Sequence, residues 1–390
     1  MYNKKQLIAT AVCTAIVVCI LNYVFFVQLG GYPSGDMVTR ARRIIEENYV
    51  NPLTDEQRTK MNDTAIAGMV YSLGDQYSSY LNTEALEAYE EDKKESYVGI
   101  GVSVNFDSEN NVMTVVSPYD GSPAQTAGIL PQDVIKKVNG VTVTADTYDS
   151  VIEDIKNGEG DSVELAILRG GEERVFTVKR EEVKRQSVTH KMFADRIGYV
   201  RISEFIHNTA DDFEAALSDL KERGMQALII DLRSNPGGYA DSVLKMTDSL
   251  LPKGVIAYLE DNKGQRQYFN SDDNCLDMPM AVLINQGTAS ASELMAGSLK
   301  AHGLATVIGE KSYGKAVGQS LYPLTSKTAI YLTNARYFTP NGECIDKVGI
   351  EPDIKVSLAE DLIGKISVLE PEQDAQLSKA LEVLKGKLSE

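Results

Sequence analysis

Two short segments carry residue types suited to acyl transfer. Asp231-Leu232-Arg233-Ser234-Asn235-Pro236-Gly237-Gly238 follows an apolar run and precedes an amphipathic one. Its paired glycines let the backbone turn sharply and let N–H groups face an approaching atom, as an oxyanion hole requires. A phosphate would use such N–H groups too, but no G-K-[ST] follows, so a nucleotide site is discounted. A plain connecting turn is the rival reading. Gln286-Gly287-Thr288-Ala289-Ser290-Ala291-Ser292-Glu293 has the same strand-to-helix setting. Small neighbours leave the Ser290 hydroxyl accessible. The Ala291 N–H lies in a helix first turn, whose partial positive charge favours an oxyanion. Ser290 also reads as a simple helix cap.

A serine nucleophile needs a base. The chain has three histidines, His190, His207 and His302. His302 closes the helix begun by Ser290, and twelve residues of helix separate the two by about 18 Å. Nothing places His207 or His190 near the serine. A lysine serves instead if burial lowers its pKa from near 10.4. Tyr313-Gly314-Lys315-Ala316-Val317-Gly318-Gln319 offers Lys315 small or apolar neighbours and a glutamine able to hold the amine. Lys311 is less apt, because adjacent Glu310 would keep it charged. Taken alone, Lys315 also reads as a surface lysine.

The patterns around these segments predict their scaffold. Residues 34–95 read as helical, with apolar spacing from Asp36 to Ile45 and a capping box at Thr54 and Gln57. From Ser96 the period alternates through Tyr97–Val104, Val112–Val116 and Ser162–Leu168, a small β-rich module ending near Arg180. Beyond Asp195, continuous apolar strands (198–202, 227–232, 279–285) alternate with helices (210–223, 239–251, 290–302). That order implies a mostly parallel sheet covered on both faces. A charged helix beyond Pro371 reads as peripheral.

The chain has 390 residues, enough for two or three domains, each with its own core. Its net charge of −17 repels phosphate backbones and anionic lipid, so nucleic acid is not an expected partner. Leu7 to Leu29 holds no charge over 23 positions, enough for a membrane-spanning helix, with Lys4 and Lys5 on its cytoplasmic side. A signal anchor with the remainder outside the cell membrane is expected; a cleaved signal peptide is the alternative. Cys275 and Cys344 would lie outside the membrane, and their pairing stays open.

In combination these segments resemble the C-terminal processing peptidases, or tail-specific proteases. The resemblance runs from about residue 38 to 358. It includes Leu73-Gly74-Asp75-Gln76-Tyr77-Ser78-Ser79-Tyr80 and Gly121-Ser122-Pro123-Ala124-Gln125-Thr126-Ala127-Gly128-Ile129. It continues through Leu232–Gly238, Ala289–Glu293, Gly309-Glu310-Lys311 with Gly314-Lys315, and Thr339-Pro340-Asn341-Gly342 with Val348–Asp353. It implies an α/β multidomain chain. The order is a transmembrane helix (1–33), a helical dimerisation segment (34–95), an inserted PDZ domain (96–181), a crotonase/Clp-like α/β serine protease core (182–358) and a C-terminal helical region (359–390).

The family's pattern puts the nucleophile on Ser290, the general base on Lys315 and support for that lysine on Gln319. Oxyanion donors would be Ala291 and either Gly237 or Gly238. Thr288 and Ala316 depart from the pattern without removing a functional group. The PDZ resemblance implies recognition of a substrate's C-terminal carboxylate by Val98, Gly99, Ile100 and Gly101, with Arg169 as a candidate carboxylate sensor. The implied chemistry needs no cofactor or metal. The implied partners are protein tails and, through the helical segments, a second copy of the chain.

Overall fold

The structure is a computed structural model and describes residues 14–20, 37–94, 96–107, 110–119, 121–130, 132–359, 362 and 366–389. Most of the expected membrane span, Leu7–Leu29, lies outside these residues; positions 14–20 are helical. Among the described residues no helix is long and apolar enough to cross a membrane. Cys275 and Cys344 are free thiols, not joined to one another.

The region beyond residue 187 is built on a six-stranded sheet in the order Val188–Met192, Ile197–Ile202, Ala227–Asp231, Met280–Ile284, Ala305–Gly309, Ile354–Lys355. The first pair is antiparallel and the others are parallel. The apolar runs are continuous because both faces are covered. Leu228, Ile230, Val282 and Ile284 face one core, which includes residues of helices Thr209–Glu222, Ala240–Asp248 and Ala291–Ala301. Ala227, Ile229, Ala281 and Leu283 face the other, against helix Ala375–Leu388. Alternation of side chains along a strand delivers each set to its own face.

The helix expected to be peripheral is therefore half of the sandwich: Leu377, Ala380 and Leu384 are buried. Sequence patterning misses this because a one-face helix shows charge on its other side. A buried ionic network fastens it. Arg233, fully buried, donates to Asp231 (2.6 and 2.9 Å), to Asp374 (2.9 Å) and to Gln376 (2.9 Å). Burial pushes the Asp231 carboxyl up, but Arg233 and then Arg201 outweigh it and hold it near 2. Asp374 also caps the helix, accepting from Gln376 N and Leu377 N. Asp374→Ala leaves a buried guanidinium short of one partner and uncaps the helix. We expect a loss of about 3–5 kcal/mol, read from the urea midpoint. An unchanged midpoint would show that the helix is dispensable.

A second sheet escapes the sequence reading. Hairpin Gly254–Asp261/Arg266–Ser271 and hairpin Val317–Pro323/Ala329–Phe338 join edge to edge. Strand Ser79–Leu81, inside the segment read as all-helical, pairs with Ala329–Phe338. The remaining N-terminal elements are helices Met37–Asn48, Asp55–Tyr71 and Thr83–Asp92. The capping box forms as expected: Gln57 N donates to Thr54 Oγ1, and Thr54 N to Gln57 Oε1.

The β-rich module has its own core of Ile100, Met113, Val115, Ile129, Ile135, Val163, Leu165 and neighbours. Its entry strand Ser96–Gly99 pairs antiparallel with its exit strand Glu181–Lys184, as an inserted domain requires. The continuous strand expected over Tyr97–Val104 is broken at Ile100-Gly101, where Gly101 takes φ 69°.

Candidate active site

Parallel strands place the three chemistry-bearing loops together. Ala227–Asp231, Met280–Ile284 and Ala305–Gly309 are sheet neighbours, and the loops at their C-terminal ends carry Gly237-Gly238, Ser290 and Lys315. Open α/β sheets bind ligands at that edge. The first two loops are stitched to each other. Ala289 N and Ser292 Oγ both donate to Asn235 O (2.9 and 3.0 Å), Thr288 Oγ1 donates to Leu232 O (2.8 Å), and Ser234 N donates to Asn285 Oδ1 (2.8 Å).

Ser290 sits at φ 57°, ψ −117°, just before helix Ala291–Ala301. That is a costly conformation for a residue with a Cβ, and it persists only where the surroundings impose it. Ser290 does stand at the N-cap, with Glu293 returning to its backbone N–H, but an ordinary N-cap has extended backbone, so capping alone does not account for this conformation. The two candidate glycines also separate. Gly237 N donates to the Asn235 side chain (2.9 Å), so that N–H is committed. Among the described residues, neither Gly238 N nor Ala291 N donates to another group. Gly237 is needed for proximity instead: a Cβ there would lie 2.8 Å from Ser290 Cβ and 3.0 Å from Ala291 N.

The buried Glu293 carboxylate binds the serine turn to the lysine loop. Its Oε2 accepts from Ser290 N (2.9 Å) and Lys315 N (2.8 Å); its Oε1 accepts from Ser312 Oγ (2.5 Å) and Gly314 N (2.7 Å). The Tyr337 hydroxyl completes the clamp. It lies 2.9 Å from Ser290 O and 3.0 Å from Lys315 O. Two amides sharing one carboxylate oxygen lie within about 6 Å of each other. The sequence reading gave Glu293 and Tyr337 no role. The only available signal was the carboxylate three residues after Ser290, at capping-box spacing.

Burial lowers the Lys315 pKa from its ordinary value; Tyr313 and Asp75 oppose that in part. The amine lies 4.6 Å from the centre of the Tyr77 ring. No hydrogen bond joins it to Ser290 Oγ among the described residues in this conformation.

Comparison with known proteins decides the family. Residues 196–356 match peptidase family S41, residues 97–179 a PDZ domain, and residues 33–85 the N-terminal domain of the activating protease CtpB. A probable CtpA-like serine protease of Staphylococcus aureus (strain MRSA252) is 33% identical over 360 residues, covering 90% of this chain and 71% of that protein. The carboxy-terminal-processing protease of Bartonella bacilliformis is 34% identical, covering 91% and 88%. The chain belongs to peptidase family S41. The solved photosystem II D1 C-terminal processing protease is similar over 85% of this chain and 96% of that one, with 28% identity and a TM-score of 0.51. This S41 peptidase is a serine protease of the carboxy-terminal-processing kind.

Beside Ser290 the peptidase has a cavity of about 580 Å³, with Val243, Leu244, Leu259, Phe269 and Leu294 on its walls. Asp261, Arg266, Gln267 and Asn334 line it as well, so its walls are mixed in polarity. Gln319 lines the same cavity, but its amide donates to Thr333 Oγ1 (3.2 Å) and Val317 O (3.4 Å). It does not hold the Lys315 amine as expected, because strand pairing places it opposite Thr333.

The histidines are engaged elsewhere. His190 meets Asp219, His207 stacks on Tyr239, and His302 meets Val255 O.

In the PDZ domain, Arg169 makes a bidentate pair with Asp133 (2.6 Å each) and donates to Gly128 O (2.7 Å). As a carboxylate sensor it would have to leave that pair. At 98–101, the Ile100 and Gly101 carbonyls accept from Ala124 N and Tyr119 N. The strand that follows, Val102–Asp107, is a sheet edge.

Proposed function

We propose that this peptidase cuts extracytoplasmic proteins near their C-termini with a Ser290–Lys315 dyad. The clamp of Glu293 and Tyr337 on both residues carries the reading. Glu293 accepts from the N–H groups of both residues, and the Tyr337 hydroxyl, on a strand of the other sheet, lies within hydrogen-bond distance of both carbonyls, so the Ser290 turn and the Lys315 loop are held side by side. The amine rests against the Tyr77 ring in this conformation, and its contact with the Ser290 hydroxyl is one that tightens when substrate binds. Neutral Lys315 takes the Ser290 proton, and the oxygen attacks the carbonyl. The N–H groups of Ala291 and Gly238 receive the oxyanion. Lys315 then protonates the leaving amine, and water releases the acyl group.

The PDZ domain captures the substrate's terminal carboxylate on the N–H groups near Gly99–Gly101, and the tail adds along Val102–Asp107. The Leu7–Leu29 span anchors the chain, with the catalytic region outside the cell membrane. Helix Met37–Asn48 buries none of its residues, and Val38, Ile44 and Ile45 are exposed, which supports pairing with a second copy.

The experiment compares one tail peptide with a free carboxylate and with an amide at its end. The amide form should show a KM raised roughly 10–100-fold, the equivalent of one charge-assisted hydrogen-bond set. Equal KM values for the two would remove the carboxylate from recognition.

A further inference from the structure

The segment Gly74–Tyr80 belongs to the motif set but has no part in the chemistry described above. Its place in the fold gives it one. Helix Asp55–Tyr71 ends and Gly74 turns the chain at φ 65°. Asp75 then ties the turn internally, accepting from Tyr77 N (3.1 Å) and Ser78 Oγ (2.5 Å). Ser78 Oγ accepts from Thr333 N (3.0 Å), and Ser79, Tyr80 and Leu81 pair with Tyr331, Ile330 and Ala329. The turn is thus fixed to the strand that also carries Tyr337, the residue bridging Ser290 O and Lys315 O. This attachment sets the Tyr77 ring under the Lys315 amine, 4.6 Å from ring centre to Nζ.

We infer that Tyr77 is a positioning residue for Lys315: its ring seats the amine and keeps water from it, so the segment 74–81 is part of the active site. The inference rests on the reading of Lys315 as base. An aromatic face attracts an ammonium and covers it without offering a hydrogen bond, so it holds the group without a proton-accepting partner. The other groups around Lys315 are few. Tyr313 lies in its own loop, and Asp75 is occupied by Ser78 and Tyr77. The Glu293 carboxylate is bound to backbone N–H groups, Tyr337 bridges two carbonyls, and Asp346 accepts from Ala316 N (3.3 Å). The Tyr77 phenol is pushed up to about 12 by burial and then by its hydrogen bond to Tyr313, so it stays neutral.

The test uses the full chain and a cleavable tail peptide, with kcat and kcat/KM followed against pH and thermal unfolding recorded in parallel. Tyr77→Phe keeps the ring and should retain kcat within about threefold. Tyr77→Ala should lose at least tenfold in kcat, a small part of what acid–base catalysis supplies, with KM little changed. Its acidic limb should move to higher pH. Removing the ring admits water, which raises the lysine pKa toward 10.5, and this outweighs the lost attraction for the charged form. If Tyr77→Ala does not fold, Tyr77→Leu carries the test: without an aromatic seat kcat should fall again at unchanged KM. Wild-type kcat and an unmoved limb in a folded Ala or Leu variant overturn the inference, as does a Phe variant as poor as Ala. Lys315→Ala separates the two layers. If it cleaves normally, the base assignment itself falls; if it is inactive while Tyr77→Ala behaves as wild type, only the role of Tyr77 falls.

Discussion

On the proposed dyad, Ser290→Ala and Lys315→Ala should each abolish tail cleavage, by at least about 10³-fold in kcat, while the fold persists. In that reading the serine supplies the attacking oxygen from its strained turn against Gly237. The proposed general-base catalysis by the lysine is typically worth about 10²–10⁴-fold, and loss of either member of such a unit removes the work of both. Lys315→Arg does not rescue, because a guanidinium stays protonated at any working pH.

The wild-type pH profile follows from the same residue. If Lys315 is the base, only its neutral amine accepts the serine proton, so activity should rise with pH through the Lys315 pKa. Burial sets that pKa below the ordinary 10.5, so the limb lies below it as well. Rates from stopped assays across pH, with folding monitored by circular dichroism, check all three statements. A Lys315→Ala enzyme with normal turnover would overturn the dyad.

Glu293→Gln has the second largest effect, and it strikes stability and turnover together. Each carboxylate oxygen accepts two hydrogen bonds, from Ser290 N and Lys315 N on one side and from Ser312 Oγ and Gly314 N on the other. An amide has one NH₂ group, which must face one of those donor pairs whichever way it is flipped. Facing Ser290 and Lys315 it sets two N–H groups against a donor; facing Ser312 and Gly314 it sets the Gly314 N–H against one, while the Ser312 hydroxyl must turn to accept. We expect about 3–5 kcal/mol of destabilisation and a kcat lowered at least about 10²-fold, since Ser290 and Lys315 lose their common anchor. Urea unfolding and single-turnover cleavage read the two separately. A variant with wild-type midpoint and wild-type kcat would show that the clamp is incidental.

The assignment of Ser290 as nucleophile and the full domain order came from the family resemblance, while the amino-acid sequence alone marked the candidate loops and the start of the β-rich module. These are local properties: a Gly-Gly pair, a serine at a strand–helix junction, a change of period at Ser96. It also indicated the doubly covered sheet, because runs such as Ala227–Leu232 are apolar at every position. Only the tertiary structure decided the contacts between distant segments. Glu293 holds Lys315 from 22 positions away, Arg233 meets Asp374 from 141, and Thr333 N reaches Ser78 from 255. Gln319 turns to Thr333 and away from Lys315 for the same reason: strand register sets its neighbours. Gly238 is separated from Gly237 by one side chain, Asn235, whose rotamer no local pattern encodes. Periodicity records which face a residue shows, whereas the partner it finds there depends on which strands and helices come to lie side by side.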